Sequence, residues 1–204
     1  NLNFAYFLSE QLGKGQFIYT QIGGEKDPNS PVVLSLSESE LEKMIDVPRL
    51  PTNPPVLNDG SIYNIKFVGE DLATNKTESD VVENVRYDIT RPKISISYPS
   101  GNTFFLGTEI GMEVSEDLLE AVLIWTRTGG LPDDGSPHRM PLSDVLLKKG
   151  TYQDAPFPIN ESLNTSAIYT LSVEGKDFAD NDVEPVSIQS VEYIRNMSGK
   201  WNYK

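Results

Sequence analysis

Sliding the chain against itself by 106 residues lays Ser9–Tyr87 on Ser115–Tyr193 without a gap, with 25 identities in 79 positions. The matches include Ser9-Glu10 with Ser115-Glu116, Gly23-Gly24 with Gly129-Gly130, Ser30-Pro31 with Ser136-Pro137, and Ile62-Tyr63 with Ile168-Tyr169. Asp71, Ala73 and Asn75 fall on Asp177, Ala179 and Asn181. The chain is therefore two copies of one unit. A period this long makes each copy a domain with its own core, not the turn of a solenoid. The expected division is residues 1–90, residues 91–196, and a tail over 197–204.

The frame of the repeat matters. The second copy is led by Pro92-Lys-Ile-Ser-Ile-Ser-Tyr98 and the residues up to Gly107, and the first copy has no such leader. The chain therefore reads as cut from a longer array, out of phase with its domains. The tail, in which Trp201 and Tyr203 alternate with polar residues, reads as the leading strand of a next repeat or as one donated to a neighbouring chain's first domain.

Within each copy the apolar period is two. Ile94-Ser-Ile-Ser-Tyr98 and Tyr169-Thr-Leu-Ser-Val173 alternate, and Val122–Thr126 is a short apolar run suited to a covered strand. Val186–Tyr193 alternates with a slip at Ser190, which predicts a bulge. The helix candidates, Ser37–Ile45 and Ser143–Lys149, are one or two turns each, with serine caps and early acids. About seven short strands per copy, with Gly, Pro, Asn and Asp at the turns, predict an all-β fold of two tandem β-sandwich domains, each with at most one short helix.

Three motifs resemble bacterial immunoglobulin-like (Big or cadherin-like) repeats of extracellular surface proteins. Thr108–Leu118 is similar to their second strand, which ends in Ser-Glu. Tyr169–Asp182 is similar to their penultimate strand and its Asp-x-Ala-x-Asn turn. Tyr87–Ile96 is similar to their inter-domain joint. The family's usual glycine in that turn is replaced here by Thr74 and Asp180. The resemblance implies immunoglobulin-like sandwiches and an extracellular or cell-surface setting.

In such a sandwich the second and sixth strands leave at one end, where the first strand enters. That gathers Asp88, Glu116, Asp177, Asp180 and Asn181 into a candidate calcium site, since hard oxygens from separate loops suit that ion. The first-copy counterparts are Glu10, Asp71 and Asn75. The other reading of these acids is a turn in which each aspartate bonds its own backbone; Arg91 is a third partner to weigh. Calcium is the only cofactor expected.

Composition excludes other classes. There are 17 Lys+Arg against 30 Asp+Glu, so no basic stripe offers itself to nucleic acid, and no apolar run is long enough to insert in a membrane. No cysteine exists, which removes disulfides and thiolate chemistry. The single histidine, His138, sits in a turn-like stretch and reads as an exposed loop residue. Asn75, Asn160, Asn164 and Asn196 head glycosylation sequons, meaningful only in a secreted eukaryotic protein.

The sequence thus predicts a non-enzymatic structural repeat of an extracellular filament, stalk or adhesin, whose partners are adjacent repeats or further copies of itself. The alternatives are a carbohydrate- or protein-binding module using Phe104, Phe105, Tyr152 or Phe157, and an appendage of a secreted hydrolase.

Overall fold

The computed structural model describes residues 5–107, 109–156 and 163–195. Thr108, Phe157, Asn160, Asn196, Trp201, Tyr203 and the whole 197–204 tail lie outside them. The chain divides into two compact units, Asn1–Thr90 and Arg91–Lys204. Both are all-β sandwiches.

Unit 1 contains β1 (Tyr6–Leu8), β2 (Leu12–Gly24), β3 (Val32–Ser35), a 3-10 turn at Glu38–Glu40, β4 (Met44–Arg49), β5 (Ser61–Asp71), β6 (Lys76–Glu78) and β7 (Val82–Arg86). One sheet is the antiparallel pair β1–β4. The other runs β3-β2-β5, and β6 and β7 share the far edge of β5.

Unit 2 contains β8 (Ile94–Tyr98), β9 (Phe104–Phe105), β10 (Glu109–Val114), β11 (Leu118–Gly130), β12 (His138–Pro141), β13 (Gly150–Pro156), β14 (Ala167–Asp177) and β15 (Ser187–Tyr193). Its sheets are β13-β10-β8 and β12-β11-β14-β15-β9. The first two elements, β8 and β9, have no counterpart among the described residues of unit 1.

The 106-residue offset survives in the hydrogen-bond register. In unit 1, β2 pairs β5 from Leu12↔Asp71 to Gly24↔Ser61. In unit 2, β11 pairs β14 from Leu118↔Asp177 to Gly130↔Ala167, with irregularities at the same two places. Gly24 and Gly130 close these ladders at φ +72° and +67°. A Cβ there would lie 2.2 Å from the Gly60 carbonyl oxygen or 2.3 Å from that of Ser166, so only glycine fits. The slip at Ser190 is a bulge: its φ is 58°, and Asn84 repeats it in unit 1 at 59°.

Alternation builds the cores, because successive strand side chains point to opposite faces. Ala167, Tyr169, Leu171 and Val173 of β14 are buried, and Leu123 and Trp125 of β11 meet them. Phe105 stacks on Trp125 with ring centroids 4.9 Å apart, closing the unit 2 core. Such a pair adds about 1 kcal/mol beyond its buried area. Tyr19, the counterpart of Trp125, is equally buried among Phe17, Tyr63 and Ile65.

The expected helices shrink. Ser37–Ile45 yields only the Glu38–Glu40 turn, and Met44 and Ile45 belong to β4. Ser143–Lys149 makes a single turn, with the Leu146 N–H on the Ser143 carbonyl at 2.8 Å. Both stop because the next carbonyl is taken by a strand: the Leu12 N–H donates to Leu41 O at 2.9 Å, and the Leu118 N–H to Leu147 O at 2.7 Å.

Candidate functional site

The acidic turns are built alike in both units. Where β14 ends, Asp177 Oδ1 accepts the backbone N–H groups of Ala179 at 2.7 Å and Asn181 at 2.9 Å, and Oδ2 accepts Asn181 Nδ2 at 2.9 Å. Where β5 ends, Asp71 takes Ala73 and Asn75 at 2.8 Å each and Asn75 Nδ2 at 2.7 Å. These donors, with the Asn75 side chain first, hold the Asp71 carboxyl below its ordinary range. The turn's fourth position is left-handed, with φ 69° at Thr74 and 66° at Asp180. That conformation favours glycine over a residue with a Cβ.

The unit 2 acids share one end of that unit. Val114 pairs with Ile94 and Leu118 with Asp177, so Glu116, the β14 exit and the start of β8 lie together. Lys93 and Ser115 lock that end: the Lys93 N–H donates to Ser115 Oγ at 2.8 Å and the Ser115 N–H to Lys93 O at 3.0 Å. Asp177 is buried and Glu116 half-buried, whereas Asp180 is exposed and faces Lys176 Nζ at 2.9 Å. The Arg91 guanidinium donates to the Asp182 and Val183 carbonyls at 3.0 Å each. Asp88, in unit 1, accepts the Thr90 N–H at 3.2 Å and lies 3.3 Å from Arg86.

The comparisons with known proteins add little. No protein-family model and no curated protein matches the sequence. Among solved structures, the chain is similar to the fibronectin(III)-like modules of Clostridium thermocellum CbhA, at 12% identity and a TM-score of 0.40, over 98% of this chain and 87% of that one.

A second constellation was not foreseen from the sequence. Tyr169 Oη donates to Asp133 Oδ2 at 2.5 Å and accepts the Asn164 N–H at 2.9 Å. His138 Nε2 lies 2.6 Å from the same Asp133 oxygen. His138 is therefore not an exposed loop residue. It opens β12, half-buried, with its ring edge-on to Tyr169 at 6.2 Å. Burial pushes the Asp133 carboxyl up, but the donors Tyr169 and His138 outweigh it and hold it below its usual range. Unit 1 repeats the frame: Tyr63 donates to Asp27 at 2.6 Å and accepts from Asn58 at 3.0 Å, with Val32 in the place of His138. The identity of Asp27 with Asp133 across the offset was the available signal.

Unit 1 has its own buried acid. Glu40 Oε2 accepts the Ser37 N–H at 2.8 Å and Ser37 Oγ at 2.6 Å, and Oε1 accepts the N–H and Oγ1 of Thr52 at 2.7 Å each. Burial works against the charge, yet these four donors lower its pKa to about 2. The same position in unit 2 is the core residue Leu146.

These groups are saturated by their own neighbours, and so are most of the aromatic candidates. Phe105 is core, and Tyr152 Oη lies 2.7 Å from the carbonyl oxygens of both Val145 and Lys148, between which its one hydrogen is shared. Of the four aromatics the sequence singled out, only Phe104 is exposed among the described residues. The Asn75 sequon amide is engaged with Asp71, and Asn164 Nδ2 donates to Pro132 O at 2.9 Å. Among the described residues no helix is long and apolar enough to cross a membrane.

Proposed function

We propose that the chain is a pair of spacer domains of the bacterial immunoglobulin-like type, from an extracellular filament, stalk or large adhesin. The observation that carries this reading is the duplication down to the register: two sandwiches repeat the same ladder, bulges and locked acidic turn. Duplicated scaffolding suits load and distance, whereas a catalytic centre gains nothing from a second copy of its frame. The polar clusters described above bond inward, as groups that stiffen a domain do.

Single-molecule pulling tests this. Two unfolding events are expected, releasing about 290 Å of contour from Tyr6–Arg86 and about 360 Å from Ile94–Tyr193 at about 3.6 Å per residue. Release of the chain in one event, or without a resolved force peak, contradicts a mechanical role.

Calcium is part of the proposal, on the acids that the sequence gathers: Asp88, Glu116, Asp177, Asp180 and Asn181. The locked turn leaves Asp177 with fewer lone pairs to offer, so binding would be of the weak, millimolar class found in extracellular modules. Calorimetric titration of the chain with calcium, repeated on Asp177→Asn, tests it; absence of heat at millimolar ion removes it.

A further inference from the structure

Between Ser9–Tyr87 and Ser115–Tyr193 the repeat reverses the sign of charge at five positions: Lys14 with Glu120, Glu42 with Lys148, Glu70 with Lys176, Lys76 with Asp182 and Arg86 with Glu192. Three of the five form one row on each unit. In unit 1, Lys14 on β2 pairs with Glu70 on β5, and Glu70 with Lys76 on β6. In unit 2, Glu120 on β11 pairs with Lys176 on β14, and Lys176 bridges to Asp182. Residues directly opposite one another in a ladder share a face, so each row crosses three neighbouring strands on one face of its sheet. The unit 1 row reads plus, minus, plus, and the unit 2 row reads minus, plus, minus.

The rows point outward. A Cβ at Gly15, next to Lys14, would meet Leu41 and Phe67, and one at Gly69, next to Glu70, would meet Leu12 and Phe67. The glycines therefore face the core and the charges beside them face away from it. The ends of both rows are open: the Lys14 side chain is 79% exposed and that of Glu120 68%, and Lys76 and Asp182 are exposed as well. Contacts inside the rows are loose, with Lys14 3.6 Å from Glu70 and Lys176 3.9 Å from Glu120. Asp180 adds a further acid, 2.9 Å from Lys176.

Internal pairing does not account for the reversal, because either sign pattern pairs equally well within its own unit. The reversal changes how two faces meet. Each pattern reads the same from both ends. Two like rows brought face to face therefore set like charges opposite each other in either direction, and two unlike rows set every charge opposite its complement. The spacing matches too, since both rows step across strands about 4.8 Å apart.

We infer that the unit 1 row docks on the unit 2 row of a second copy of the chain, with Glu70 opposite Lys176. The inference rests on the spacer reading above and gives it a partner. The net charge of -13 opposes the approach of copies. At physiological salt, however, the screening length is about 8 Å, so charges across the molecule are damped while rows in contact still attract.

Zero-length carbodiimide cross-linking tests this, because it joins only an amine and a carboxylate in contact. Equal amounts of isotope-labelled and unlabelled chain are mixed at physiological salt, and the linked peptides are weighed. Mixed-isotope links from Lys14 or Lys76 to Glu120 or Asp182 are expected. Glu70→Lys and Lys176→Glu each set like charges at the centre and should cut those links several-fold, although neither removes a linking group. Both substitutions in one chain restore the complement and should restore the links. Links confined to single-isotope products overturn the inference. So do single variants that link like the parent, and a loss that the double variant does not reverse. None of these outcomes alters the two-event pulling result, so failure here is distinguishable from failure of the spacer reading.

Discussion

Asp177 and Asn181 hold each other twice, through the Asn181 backbone N–H on Oδ1 and its side-chain amide on Oδ2, both at 2.9 Å. Asp71 and Asn75 do the same one repeat earlier. Asp177 is buried, so Asp177→Ala strands three donors and is expected to cost unit 2 about 1–3 kcal/mol. Asp177→Asn keeps an acceptor and loses less. Chemical denaturation of the two variants orders them; equal loss, or none, contradicts the turn's role.

The left-handed position offers a stabilising change. Thr74 is β-branched at φ 69°, where a side chain costs roughly 1–2 kcal/mol. Glycine removes that cost but adds unfolded-state entropy, so Thr74→Gly is expected to gain about 0.5–1 kcal/mol. The midpoint of unit 1 unfolding should rise by a few degrees. A fall would show that the Thr74 side chain makes a favourable contact of its own.

Glu40 makes unit 1 acid-sensitive. Its folded pKa lies below the ordinary value, so its contribution is full above pH 4.5 and is lost as pH falls toward about 2. Glu40→Gln turns an amide toward the donors of Ser37 and Thr52 and should cost about 2–3 kcal/mol at neutral pH. The variant's stability should then vary less than the parent's between pH 5 and 2. Parallel pH profiles would contradict the assignment.

The Asp133 cluster gives a graded series in unit 2. Tyr169→Phe removes a donor to a buried carboxylate and is expected to cost about 1–3 kcal/mol. His138→Val restores the unit 1 arrangement and should cost no more than about 1.5 kcal/mol, because Asp133 keeps Tyr169 and the Gly135 N–H. Asp133 is held below its ordinary range, so its contribution is also lost as pH falls. Urea midpoints for the two variants check the order; a larger loss for His138→Val contradicts it.

The fold was legible because its signals are periodic. The 106-residue identity, the alternation at Ile94–Tyr98 and the slip at Ser190 each map onto a register or a bulge. The acidic turn was legible in kind, because an Asp with an Asn four residues on can bond its own backbone. What escaped were the polar groups that fold inward. Glu40 reads as a helix-start acid, yet Thr52, twelve residues away, makes it a buried one. His138 reads as loop because Gly and Pro surround it, but Asp133 and Tyr169 receive it only after β11, β12 and β14 pair. Such burial depends on long-range pairing that no local period encodes.

The central claim is two separate cores of one design. Scanning calorimetry of the dilute chain tests it most directly. Two transitions are predicted, one from each unit. Glu40→Gln should lower only the unit 1 midpoint and Tyr169→Phe only that of unit 2. A single transition that both variants shift together would contradict the claim.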